Sequence, residues 1–151
     1  MSNIKISDPI AYLDSSVLLR IILAEPQPHL DISRYHKLFS SRLLGIECRR
    51  VIHRLLLERS IDETFAASVQ QRLRFALNGV HLIALSERLS AAAEGAFPLP
   101  LGTLDALHLT SALAIRDDLK CNDFTLLTHD MQLGRCAQAM GLNVAGLPRQ
   151  E

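Results

Sequence analysis

The chain has 151 residues, no formal net charge at pH 7 and a pI near 7.0, with 48% hydrophobic and 21% charged residues. That balance excludes an intrinsically disordered chain, and one domain spanning residues 1–151 is expected, long enough to bury a substantial core. No run of about 18 apolar residues is present, so no membrane span is expected, and no basic segment followed by an apolar one marks a signal peptide at the N-terminus. Cys48, Cys121 and Cys136 are odd in number and form no CxxC, which excludes a disulfide framework and a thiolate zinc site and suits a reducing cytoplasm.

In chain order, Ile10–Leu13 is a continuous apolar run and reads as a buried strand, with Asp14 or Ser15 capping a short helix over Val17–Ala24 that Pro26 and Pro28 stop. Leu38–Phe39 suits a short strand and Ser40–Ser41 a cap. Leu43–Arg59 carries the strongest helical pattern. Its apolar stripe includes Leu44, Val51 and Leu55, and Glu47 lies on that stripe, where an acid is costly unless paired or bound to a cation. Arg50 and Arg54 are the same-helix partners open to it. A second helix is expected from Ser60–Asp62 to about Leu77, stopped by Asn78–Gly79, followed by a strand at Val80–Leu85 and a helix at Glu87–Glu94 capped by Ser86.

Gly102 to Arg116 reads as a further amphipathic helix, with Thr103 as its cap and Leu104, Leu107, Ser111 and Ile115 as one stripe. Asp105 in its first turn is favoured by the helix dipole by about 0.3–1 kcal/mol, but it is flanked by Leu104, Ala106 and Leu107. Asp117–Asp118 and Asn122–Asp123 bracket a turn. A strand at Phe124–Thr128, a helix at Met131–Met140 and an edge strand at Leu142–Ala145 complete the pattern. Alternating strands and helices predict an α/β three-layer domain with a mostly parallel central sheet.

Asp14 follows one strand and Asp130 follows another, so a parallel sheet puts both at its carboxyl edge, where open α/β sheets bind ligands. Glu47 and Asp105, near helix starts, can face the same rim. Each of these acids also has a purely structural role open to it, and their meeting is inferred from topology. Four carboxylates sharing a rim repel one another, and a divalent cation offsets that repulsion. Oxygen-only ligands suit Mg²⁺ or Mn²⁺ rather than zinc, and the six histidines form no HExxH. The chemistry such a site favours is metal-assisted phosphodiester hydrolysis. His108 and His129 are expected to pack or hydrogen-bond near the site rather than to transfer protons. Charge is also segregated: between Arg34 and Arg74 nine Lys and Arg stand against four acids, a local excess of five that suits either an RNA backbone or a solvated helix face.

Four segments in order resemble the PIN domain family, and in size and motif order the toxin subunit of bacterial VapBC-type toxin–antitoxin pairs. They are Tyr12-Leu-Asp14-Ser-Ser16-Val-Leu-Leu, Ser40-Ser-Arg-Leu-Leu-Gly-Ile-Glu47, Leu104-Asp105-Ala-Leu-His-Leu-Thr-Ser-Ala-Leu113 and Leu127-Thr128-His-Asp130-Met-Gln-Leu133. The resemblance implies a Rossmann-like parallel sheet and an Mg²⁺- or Mn²⁺-dependent ribonuclease acting on RNA, often a homodimer, inhibited by a cognate antitoxin. It implies Asp14, Glu47, Asp105 and Asp130 as ligands of metal and water, the last directly or through water, with Ser16 and Thr128 as supporting hydroxyls. Arg49, Arg50 and Arg54 are then expected to meet RNA or an acidic stretch of the antitoxin. Two other readings compete. A PIN-fold interaction protein with weak or lost nuclease activity is disfavoured because all four acids are present. A phosphoacceptor receiver domain would require an acidic pair after the first strand and a Lys after the last, and neither is found.

Overall fold

The structure is a computed structural model, in which residues 8–26 and 30–149 are described; Pro28, expected to help stop the first helix, lies outside the described residues. The sheet has five parallel strands: β1 (Ile10–Leu13), β2 (Lys37–Ser41), β3 (Val80–Ile83), β4 (Phe124–Leu127) and β5 (Asn143–Ala145), in the order β3-β2-β1-β4-β5. The described helices are α1 (Ser15–Ile22), α2 (Leu43–Leu57), α3 (Glu63–Asn78), α4 (Glu87–Ala93), α5 (Thr103–Leu119) and α6 (Met131–Ala139).

Strand side chains alternate between the two faces, and both faces are covered, which is why the strands read as continuous apolar runs. Ala11, Leu13 and Leu127 enter a core with Val17, Leu18, Leu44, Ile52, Val69 and Leu73 from α1, α2 and α3. Tyr12, Phe124 and Leu126 enter the opposite core with Leu109, Ala112, Leu133 and Cys136 from α5 and α6. The outcome is the expected three-layer arrangement with an all-parallel sheet. Leu126, Leu127 and Leu133 are fully buried, and such a side chain contributes about 1.5–3 kcal/mol through burial.

Several element ends differ from the sequence expectation for identifiable reasons. α1 starts at Ser15, two residues early, because Asp14 occupies the capping position without making a side-chain cap bond. β3 stops at Ile83, where its carbonyl accepts from Arg42 N at 2.9 Å and the chain leaves the sheet. The N-cap of α5 is Gly102, with Thr103 as the first helical residue, and the helix runs on through Asp117 and Asp118 to end at Lys120 in a left-handed conformation with φ 49°. Its expected stripe is also displaced. Leu104 is 45% exposed, whereas Ala106, His108, Leu109, Ser111, Ala112 and Ile115 are buried. α5 lies between the sheet, α4 and α6, so more than one face is covered and a single stripe does not describe it. The capping expectation at Ser86 holds, since Ser86 Oγ accepts from Leu89 N at 3.2 Å, and the helix expected to start at Ser60–Asp62 is capped by Asp62, whose Oδ1 accepts from Phe65 N at 2.7 Å. No helix among the described residues is long and apolar enough to cross a membrane.

The chain builds β1, β2 and β3 outwards in one direction and then β4 and β5 in the other. The order therefore reverses between β1 and β4, and a crevice opens at the carboxyl ends of those two strands. Leu13 pairs in register with Leu127, which sets Asp14 beside Thr128 at that point. The segment after β5 closes beneath it: Thr128 N donates to Ala145 O at 3.0 Å, and Gly146 follows with φ 101°. A Cβ on Gly146 would lie 2.6 Å from the Thr128 carbonyl oxygen. Gly146→Ala is therefore expected to lower unfolding free energy by at least about 1–3 kcal/mol, the usual cost of a strained backbone conformation, read from urea denaturation of both proteins.

Candidate active site

Asp14 is 3% exposed, and its Oδ2 accepts from two hydroxyls, Ser16 Oγ at 2.6 Å and Thr128 Oγ1 at 2.8 Å. Each hydroxyl is oriented by an amide of the loop after β4. His129 N donates to Ser16 Oγ at 2.9 Å and Asp130 N donates to Thr128 Oγ1 at 3.0 Å. Hydrogen bonds to a charged acceptor are worth about 1.5–3 kcal/mol each, enough to keep a nearly buried carboxylate in one orientation. Among the described residues no donor reaches Asp14 Oδ1, and no fully buried side-chain oxygen lacks a partner, so Oδ1 opens onto the crevice.

Glu47 sits one turn into α2, which begins where Ser41 Oγ accepts from Leu43 N at 3.2 Å. Its partner is on neither of the same-helix positions expected for it: Arg54 pairs instead with Glu58 at 3.9 Å. Glu47 Oε2 accepts from Ser15 Oγ at 3.2 Å, and Oε1 is hydrogen-bonded to His108 Nε2. The apolar surroundings of the α2 stripe are thus answered by a histidine from α5, on the other side of the sheet edge.

Asp105 lies in the first turn of α5, half-buried. Burial first, then the negative charges of Asp130, Asp14 and Glu47, push its carboxyl up to about 6, and His108 opposes them. The charged groups that act on Asp105 are thus Asp130, Asp14, His108 and Glu47. Asp130 is the N-cap of α6, its Oδ1 accepting from Leu133 N at 2.8 Å, so it also carries a structural role. His108 is fully buried; burial draws its pKa down, but the bond to Glu47 and the charges of Asp14, Glu47 and Asp105 outweigh it and the net shift is upward. His129 Nδ1 hydrogen-bonds the Gly146 carbonyl at 2.7 Å. Both histidines hydrogen-bond beside the site, as expected.

Tyr12 and Ser15 were given no part in the site by the sequence. Tyr12 is fully buried, and its hydroxyl lies 2.6 Å from His108 Nδ1 and accepts from Ser41 N at 3.1 Å. The signal was available: a tyrosine in an otherwise aliphatic buried strand must find a partner for its hydroxyl.

The donors facing the crevice are carboxylate and hydroxyl oxygens, which suit a hard divalent cation. No three His, Cys, Asp or Glu side chains among the described residues close into a cage. Mg²⁺ requires none, because it keeps several waters and takes one or two carboxylates directly.

Comparison with known proteins bears on these residues as a set. The sequence profile of the PIN domain family matches residues 11–138. Ribonuclease VapC46 of Mycobacterium tuberculosis (strain ATCC 25618 / H37Rv) is 29% identical over 133 residues, covering 88% of this chain and 94% of its own. The crystal structure of VapBC2 from Rickettsia felis bound to a DNA fragment from their promoter contains a chain that superposes with a TM-score of 0.59 at 16% identity. That match covers 90% of this chain and 97% of the other, a likeness of fold.

The crowding at Asp105 has a consequence for stability without metal. A carboxyl whose folded pKa is raised from 3.8 to about 6 contributes stability that is fully present below pH 3.8 and is lost as pH rises through 6. Asp105→Asn removes that loss. In EDTA, the melting temperature of Asp105→Asn relative to the unmodified chain is expected to rise between pH 4 and pH 7, with most of the change between pH 4 and pH 6. A difference that stays constant across that window would show that Asp105 is not crowded.

Proposed function

This chain belongs to the PIN domain family, and from that premise we propose that it is a metal-dependent endoribonuclease that hydrolyses RNA phosphodiester bonds, the toxin of a toxin–antitoxin pair. The observation that carries the reading is Asp14 at the strand-order reversal, clamped by Ser16 and Thr128, with Glu47 joined to the same end of the sheet through Ser15 and His108. The name of the Mycobacterium relative and the pairing of the Rickettsia protein with a partner support the same direction.

In this reading Asp14, Glu47, Asp105 and Asp130 hold Mg²⁺ or Mn²⁺ and its waters, Asp130 with the oxygen that α6 does not use. When bound, the ion lowers the pKa of a coordinated water and offsets charge on the scissile phosphate. The chain's own residues do the rest. Ser16 and Thr128 fix Asp14 so that Oδ1 points outward, and Ser15 and His108 hold Glu47 from two sides. Asp105, with its raised pKa, ionises more readily once a cation reaches the site. The exposed arginines of α2, Arg49, Arg50 and Arg54, supply positive charge for an RNA backbone or for an acidic stretch of a cognate antitoxin. A homodimer and a cytoplasmic location complete the reading, the latter supported by three free cysteines. One domain over residues 1–151 is supported by two cores built on one sheet.

The test is cleavage of a mixed RNA pool by the purified chain with Mg²⁺, Mn²⁺ or EDTA, alongside Asp14→Asn. Metal-dependent cleavage that falls to the EDTA level in Asp14→Asn is expected. Full cleavage by that variant would remove Asp14 from the site. Absence of both cleavage and divalent-metal binding would leave a PIN-fold interaction protein.

A further inference from the structure

Glu47 is a long side chain on α2, and among the described residues its hydrogen-bond partners, Ser15 and His108, both lie on other helices. What it meets through His108 is a chain of hydrogen bonds that begins in the sheet. Ser41 N, at the end of β2, donates to the Tyr12 hydroxyl at 3.1 Å. The Tyr12 hydroxyl lies 2.6 Å from His108 Nδ1, and His108 Nε2 is bonded to Glu47 Oε1. Tyr12 and His108 are both fully buried, and their rings meet edge to face with centroids 5.7 Å apart.

The direction of each bond follows from the donors available. Burial holds the Tyr12 phenol well above its ordinary pKa, so it keeps its proton. Its oxygen already receives the Ser41 amide, so its hydrogen is free for Nδ1. With Nδ1 accepting, the ring proton lies on Nε2 and points at Glu47. A protonated ring presents the same Nε2 hydrogen, and its Nδ1 then donates to the Tyr12 oxygen instead. Among the described residues Tyr12 hydrogen-bonds no acid, and it lies two positions before Asp14 in the chain; its hydrogen-bonded link to the site is His108.

We propose that Tyr12 and His108 are positioning residues that aim Glu47 from the backbone of β2 into the crevice, so that the carboxylate is set for a divalent cation before one arrives. The inference rests on the metal-binding reading given above. A polar chain of this kind, running through an otherwise apolar core, fixes the rotamer of Glu47 and leaves a second lone pair on each of its oxygens for the ion or its waters. Supporting shells of this type change metal affinity by about 10–100-fold when broken.

The experiment is Mn²⁺ titration calorimetry on the purified, metal-stripped chain and on Tyr12→Phe, His108→Gln and His108→Leu, each checked for folding by circular dichroism. Tyr12→Phe is expected to weaken Mn²⁺ binding about tenfold or more. His108→Gln keeps an amide donor toward Glu47 and should stay within about threefold of the unmodified chain, while His108→Leu should fall at least about tenfold. A packing role alone predicts the reverse order for the two His108 variants, because leucine suits a buried apolar pocket better than glutamine does. Unchanged affinity in Tyr12→Phe, or His108→Leu binding as well as His108→Gln, overturns the relay. If Tyr12→Phe does not fold, the His108 pair decides alone. An unmodified chain that binds no Mn²⁺ overturns the metal reading and the relay with it, which separates that failure from failure of the relay alone.

Discussion

The bond pair from Ser16 and Thr128 to Asp14 Oδ2 is the constraint on which the site depends. It ties the end of β1 to the end of β4 at the one place where strand order reverses. In that crevice an aspartate that is 3% exposed would face a steep desolvation cost if left without donors. Two hydroxyls meet that cost at one oxygen and leave the other outward. The loop after β4 contributes twice, since its amides orient both hydroxyls and its Asp130 caps α6. The same few residues thus close the sheet, start a helix and set the acid.

Around that fixed point the structure gathers more negative charge than it neutralises. Asp105 shows the imbalance most directly, because its pKa is driven up by burial and then by its three acidic neighbours. His108 is the built-in counterweight, placed by α5 with one nitrogen toward Glu47 and the other toward Tyr12. Asp14, Glu47, Asp105 and Asp130 bring more acid to this end of the sheet than one imidazole can offset, which is the physical reason for proposing a cation there.

Much of this was legible in the sequence, for reasons that differ by residue. Periodicity marked the strands and helices because the two-sided burial of a parallel sheet leaves continuous apolar runs such as Ile10–Leu13. Strand-end placement was enough to bring Asp14 and Asp130 to one edge. The partner of Glu47 was not legible, because α2 offered arginines at helical spacing and the actual donor, His108, is 61 positions away. The burial pattern of α5 was misread for a related reason: Leu104 looks like a core residue beside Asp105, yet the helix is covered on more than one side and Leu104 is left at the rim. Local spacing reports one face at a time, and cross-sheet contacts are set by topology.

The distance along the chain between the two halves of the Asp14 clamp has its own consequence. Ser16 lies two positions after Asp14, but Thr128 follows Asp14 by 114 positions, and β1 pairs with β4 only after the intervening strands and helices have been made. At about 5–20 residues per second, a ribosome takes on the order of 6–23 seconds to travel that interval. Throughout it, the emerging chain holds Asp14 and later Glu47 and Asp105 but has no crevice in which they converge. Until Thr128 and β4 have been made, the nascent chain therefore has no assembled site.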